Sequence, residues 1–152
     1  MTRLLGIDLG ERRIGVAIAD PDGSAMPLVT LRRGRSVAVD AEALQRLMSD
    51  HGAVGLIVGL PLEADGHEGP QVALTRAWVD AIGRALPEAD ITFRDERLSS
   101  HVAEGRVGPM KRGRSGGPPS ATQRSAWRAR VDREAAAIIL QDELDARARA
   151  AG

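Results

Sequence analysis

The chain contains no cysteine and no tyrosine, and its only aromatic residues are Trp78, Phe93 and Trp127. Without cysteine there are no disulfides and no thiolate metal sites, which fits a reducing compartment. The three histidines, His51, His67 and His101, are scattered and match no metal-ligand spacing. No apolar run reaches the roughly 18 residues that a membrane-spanning helix needs. The beginning of the chain carries Arg3 and passes at once into a strand-like segment interrupted by Asp8. It lacks the apolar core and small-residue cleavage site of a signal peptide, so a cytoplasmic location is expected. Net charge is also lacking: 21 basic residues balance 21 acidic ones. Bulk charge therefore gives no argument for a nucleic-acid partner.

What is present is a globular composition. With 152 residues, 43% of them hydrophobic, the chain has enough apolar material for one domain with a real core. A single domain over residues 1–152 is expected. Hydrophobic periodicity divides it into elements. Residues 3–9, 13–20 and 26–31 read as three strands joined by a turn at Gly10-Glu11-Arg12 and a hairpin at Pro21-Asp22-Gly23-Ser24. The Asp-Gly pair in that hairpin supplies the positive φ a tight turn needs. Val37, Ala41, Leu44, Leu47 and Met48 then recur at helical spacing up to His51-Gly52. Residues 54–60 form a short apolar run typical of a buried central strand. A helix over 72–86, stopped by Pro87, precedes a fifth strand at 91–96. A short helix over 98–104, a mobile Gly/Pro/Arg-rich loop from 105 to 120 and a last helix over 128–148 complete the order. Three antiparallel strands joined to two parallel ones, with helices on both faces, describe a mixed α/β sheet.

Three acids stand where acids are not expected. Asp8 interrupts the apolar run Leu4 to Leu9. Glu96 ends the fifth strand. Asp132 opens the last helix, whose facing positions are Ala135, Ala136, Ile139 and Leu140. A carboxylate among core residues costs several kcal/mol unless cations or hydrogen-bond donors compensate it. Each acid also has an ordinary reading: Asp8 as a turn former, Asp132 as a first-turn acid favoured by the helix dipole, and Glu96 as the partner of Arg94 or Arg97. Taken together with the strand order, they converge on one edge of the sheet, where ligands of open α/β sheets bind. Oxygen ligands without His or Cys suit Mg²⁺ or Mn²⁺. Two such ions, roughly 4 Å apart, can clamp an in-line phosphodiester displacement without a protein nucleophile. Asp95 neighbours Glu96 but points to the opposite face of a strand, so it is read as structural.

Gly6-Ile7-Asp8-Leu9-Gly10-Glu11-Arg12-Arg13-Ile14-Gly15-Val16-Ala17, Ile57-Val58-Gly59-Leu60-Pro61-Leu62 with Asp65-Gly66, Asp95-Glu96-Arg97-Leu98-Ser99, and Val131-Asp132-Arg133-Glu134-Ala135-Ala136-Ala137-Ile138-Ile139-Leu140 occur in that order. Together they resemble the YqgF/RuvX family, described both as Holliday junction resolvases and as pre-16S rRNA nucleases. The resemblance spans residues 3 to 145. It implies a ribonuclease H-like fold, with Asp8, Glu96 and Asp132 as catalytic residues that bind divalent metal. It also implies a nuclease acting on structured RNA in 5′-end maturation of pre-16S rRNA, or on branched DNA, as a monomer or homodimer. Two departures stand out: Glu63 where the family often has Asn, and an atypical Gly/Pro-rich stretch over 105–125.

Residues 105–131 hold seven basic side chains and no acid. Arg13, Lys111, Arg112, Arg128 and Arg130 are the candidate contacts to substrate phosphates; the alternative is a solvated loop. Trp127 either stacks on a base or packs between helices. Two rival functions compete with the nuclease. Asp8-Leu9-Gly10 also resembles the first phosphate loop of actin-like ATPases and sugar kinases, but a second such loop is missing. The other rival is a non-catalytic nucleic-acid-binding module.

Overall fold

A computed structural model describes residues 3–96 and 99–152. Five strands and four helices follow in the order β1 (Arg3–Leu9), β2 (Arg13–Ala19), β3 (Ala25–Arg32), α1 (Val37–His51), β4 (Ala53–Leu60), α2 (Pro70–Ala85), β5 (Asp90–Asp95), α3 (Ser99–Val107) and α4 (Ala121–Ala151). They form one five-stranded sheet with order β3-β2-β1-β4-β5. β1, β2 and β3 pair antiparallel, and β4 and β5 add in parallel beside β1. The mixed sheet read from the sequence is therefore present. Among the described residues, no helix is long and apolar enough to cross a membrane.

Local signals account for most boundaries. Gly23 takes φ 89° in the β2–β3 hairpin, beside an Asp22 side chain that accepts from the Ser24 amide at 2.9 Å. Ser36 caps α1, and Gly52 closes it in the left-handed conformation. Pro70 begins α2, where its missing N–H is not needed.

Alternation along the strands sorts the core into two layers. Leu5, Ile7, Ile14, Val16, Leu56 and Val58 pack against Ala41 and Leu44 of α1 and Trp78, Val79 and Ile82 of α2. On the opposite face Leu4, Ala17, Ala19 and Ile57 meet Ala136, Ala137, Ile139 and Leu140 of α4. Helices thus cover both faces, as expected.

The last third departs from the sequence reading. α4 starts at Ala121, seven residues before the expected position. Ser120 accepts from the Gln123 amide and the Gln123 side chain accepts from the Ser120 amide, a capping box that starts the helix there. Asp132 is consequently an interior residue of α4 and does not open it; the first-turn dipole reading is wrong. α3 runs on through Val107, so the loop begins at Gly108. That loop includes a short 3-10 turn at Arg114–Gly116 and is tied to α4. Trp127 Nε1 donates to Gly108 O at 2.8 Å, and Gln123 Nε2 donates to Arg112 O at 3.0 Å. Trp127 itself packs in a third cluster with Ala103, Val131, Ala135 and Ile138, which bears out its helix-packing reading. The expected helix start at Leu98 and Arg97 as a partner of Glu96 fall outside the described residues.

Candidate functional site

Glycines in the sheet set the geometry of the site. A Cβ on Gly15 would lie 2.0 Å from the carbonyl oxygen of Asp132, and one on Gly6 would lie 2.5 Å from that of Ala136. Both distances are impossible for a real side chain, so α4 sits directly on the β1–β2 backbone because those positions are glycine. Asp8 stands opposite Gly15 in the β1–β2 register and shares the face of Leu4 and Gly6. The turn of α4 that carries Asp132 is therefore held beside Asp8.

Glu96 arrives from the other side. It follows β5 directly, and its amide donates to Leu60 O at 2.9 Å. Gly59 leaves the room it needs: a Cβ there would lie 2.9 Å from Glu96 Cγ and 2.6 Å from Ile139 Cδ1. Thr92, Arg94 and Glu96 share the α4 side of the sheet, since Arg94 pairs with Glu143 at 3.6 Å and Thr92 faces Arg147. Ile91 and Phe93 pack in the opposite layer, so alternation places Asp95 on that side too.

The electrostatics are those of carboxylates withdrawn from water, with neighbouring acids adding to the effect. Burial, and secondarily the Asp132 charge, push Asp8 from 3.8 up to about 7. Burial likewise pushes Glu96 from 4.5 up to about 7. A hydrogen bond from Ser99 opposes that rise, and Asp142, Asp8 and Asp95 add to it. Glu96 Oε1 is buried with no hydrogen-bond partner among the described residues. Asp132 differs from both, because Arg13 Nε holds its Oδ2 at 2.6 Å. As the side chains stand, no group of three or more His, Asp or Glu among the described residues is arranged to hold a metal ion. Asp8 thus lies within electrostatic reach of both Glu96 and Asp132, and Asp132 is already engaged by Arg13.

The five expected phosphate contacts do not stay together. Arg13 and Arg128 line one groove beside Asp132. Lys111 and Arg130 flank a smaller depression next to Trp127. Arg112 donates to Gly116 O at 3.2 Å within its own loop. His67 pairs with Asp65 on an exposed loop. Ser99, Asp142 and the seating glycines were not singled out from the sequence. Only the glycines carried a signal there, since a glycine inside a strand marks close backbone approach.

This sheet and its helices form a ribonuclease H-like fold. Thermus thermophilus RuvC in complex with Holliday junction substrate aligns with a TM-score of 0.55 at 15% identity, covering 97% of this chain and 96% of that one. A second Thermus thermophilus RuvC structure aligns with a TM-score of 0.53 at 13% identity, covering 97% of each chain. Within that class, a model of the RuvX family, described as Holliday junction resolvase, matches residues 2–146. A Roseiflexus protein is 42% identical over 145 residues, covering 94% of each chain. An Anaeromyxobacter protein is 40% identical over 146 residues, covering 96% of this chain and 98% of its own. Both carry the name "Putative pre-16S rRNA nuclease". The chain belongs to the RuvX family.

Proposed function

We propose that residues 1–152 form a single divalent-cation-dependent nuclease domain acting in the cytoplasm on the 5′ end of pre-16S rRNA, with Asp8, Glu96 and Asp132 as its catalytic and cation-holding residues. The observation that carries this reading is the pair Asp8 and Glu96. Two carboxylates share a partly buried site, each with its pKa raised to about 7, and one has a buried oxygen without a partner. Such a site is destabilising when ionised and empty of cations, and a hard cation with oxygen preference relieves it. The residues therefore fit Mg²⁺ or Mn²⁺. Asp8, Glu96 and Asp132 would hold the cation, Asp132 only if its ion pair with Arg13 were given up. A cation bound there supplies Lewis-acid polarisation of the scissile phosphate. Ser99 orients Glu96, and the backbone contact at Gly15 fixes Asp132.

Processing of rRNA is favoured by the names of relatives at 40–42% identity over nearly the whole chain. Cleavage of branched DNA is the second reading, favoured by the description of the family model. One experiment tests both. Wild type, Asp8→Asn and Asp132→Asn are incubated with a pre-16S leader RNA and with a four-way DNA junction, with Mg²⁺ or EDTA. Cleavage of the RNA by wild type alone, abolished by EDTA, is expected. Cleavage that survives both substitutions or EDTA contradicts the cation mechanism. Cleavage of the junction alone replaces the first reading by the second. Gel filtration with light scattering distinguishes the monomer, sufficient for RNA trimming, from a homodimer suited to symmetric junction cleavage.

A further inference from the structure

Next to Asp132 the surface opens into a groove of about 960 Å³ between the β2–β3 edge and the first turns of α4. Arg12, Arg13, Arg32, Arg35, Arg124 and Arg128 line it, in a chain whose net charge is zero. The fold assembles them from three places. Arg13 and Arg32 are direct cross-strand partners in β2 and β3. Like charges at such positions destabilise a sheet unless something anionic compensates them. Arg124 and Arg128 lie four residues apart, on one face of the α4 extension that starts at Ala121. Arg35 comes from the segment leading into α1.

Their partners leave this charge largely uncompensated. Arg12, Arg32, Arg35 and Arg128 make no ion pair and no side-chain hydrogen bond among the described residues. Arg124 donates only to Pro119 O, at 2.7 Å. Two acids line the same groove. Glu11 is exposed, while Asp40 is buried, accepts from the Gly34 amide and from Trp78 Nε1, and forms an ion pair with Arg33 at 3.6 Å. No aromatic side chain lines the groove. Guanidinium forks match phosphate oxygens, and a site without stacking surfaces or amide donors to bases reads the backbone alone.

We propose that this groove is the track for the phosphodiester backbone of the nucleic acid that reaches the acidic cluster, with Arg13 as the joint between track and site. Arg13 faces the groove and holds Asp132 at 2.6 Å, so a phosphate arriving in the groove competes with Asp132 for the same guanidinium. The inference rests on the nuclease reading for the direction of the track, but the track itself is tested without cleavage.

Binding of a labelled single-stranded RNA, an RNA duplex and a four-way DNA junction is measured by fluorescence anisotropy in EDTA, from 50 to 200 mM salt. The groove variant Arg12→Ala/Arg32→Ala/Arg128→Ala is compared with Arg46→Ala/Arg84→Ala/Arg149→Ala, which removes equal charge from exposed arginines elsewhere. Loss of three phosphate contacts is expected to make the slope of log K against log[salt] shallower by about two to three, whatever the base sequence. The control should change it by less than one. Equal changes in both variants, or none in the groove variant, overturn the proposal. Circular dichroism verifies folding, and a set with Gln in place of Ala serves if the Ala variant is unfolded. The three ligands show whether the track accepts RNA, DNA or both. If binding is unmoved in the groove variant while Asp8→Asn abolishes cleavage, the track is wrong and the nuclease reading stands. If the salt slope falls but cleavage does not depend on Asp8, the track stands and the nuclease reading falls.

Discussion

The two faces of the sheet solve different problems with the same strands. Toward α1 and α2 the strands present Leu5, Ile7, Ile14, Val16, Leu56 and Val58, side chains whose worth is the apolar surface they remove from water. Toward α4 they present Gly6, Asp8, Gly15, Ala17, Ile57 and Gly59, and the helix answers with Ala136 and Ala137. Burying a full aliphatic side chain contributes about 1.5–3 kcal/mol. Glycine contributes nothing of that kind and weakens a strand. The second face thus gives up packing energy for closeness, and closeness is what sets Asp132 beside Asp8 and Glu96 beside Gly59. The first face carries most of the large aliphatic core; the second also buries Leu4, Ile57, Ile139 and Leu140, and holds carboxylates in a place they would otherwise avoid.

The largest effect that separates the faces comes from Gly15→Val. Its Cβ has no space beneath Asp132, so α4 must lift, with a loss of more than the 1–3 kcal/mol usual for overpacking and loss of cation binding with it. Leu56→Ala on the other face should cost about 2–5 kcal/mol while leaving cation binding intact. Chemical denaturation paired with Mn²⁺ titration checks both; equal loss of cation binding in the two variants would erase the distinction.

A second, smaller effect is the pH dependence of stability. Asp8 and Glu96 titrate near 7 in the folded chain but near 3.8 and 4.5 when unfolded. Between about pH 4 and 7 the folded state holds protons that the unfolded state has released. Stability contributed by these groups therefore falls as pH rises through that window, and the deficit is complete above pH 7. Melting in EDTA should give a lower Tm at pH 8 than at pH 5.5 relative to Asp8→Asn, whose profile is flatter. Added Mn²⁺ should restore more stability at pH 8 than at pH 5.5.

Arg13→Gln should act more gently. It removes the partner of Asp132, so Mn²⁺ affinity should rise, by up to about tenfold or 1.4 kcal/mol. An unchanged or weakened affinity in calorimetry would mean that Arg13 does not compete for that carboxylate. The smallest effect is expected from Trp127→Phe, which loses the bond to Gly108 O and about 0.5–1.5 kcal/mol of stability, with cleavage unaffected.

Much of the packing face was legible in the sequence, because period-two runs and helical spacing of large aliphatics are direct consequences of burial. Strand order, the α1 boundaries and the direction of Asp95 followed from the same rule. The three acids were legible because a charge inside an apolar run is costly anywhere. The start of α4 was not. Residues 121–130 are largely exposed and have no apolar period, and the Ser120–Gln123 capping box that decides the boundary was read as part of a loop. That error moved Asp132 to a helix end and hid Arg124 and Arg128 as neighbours. Arg13 and Arg128 were read as phosphate contacts, but the groove that joins them to Arg12, Arg32, Arg35 and Arg124 was not, because it needs both the β2–β3 pairing and the helix extension.

The central claim is that the glycine-seated face gathers Asp8, Glu96 and Asp132 into a cation site. Calorimetric titration of Mn²⁺ at pH 8 into wild type, Asp8→Asn and Glu96→Gln tests it most directly. Saturable binding to wild type, lost or weakened at least tenfold in both variants, is the predicted result. Equal affinity in all three, or no binding to folded wild type, would contradict it.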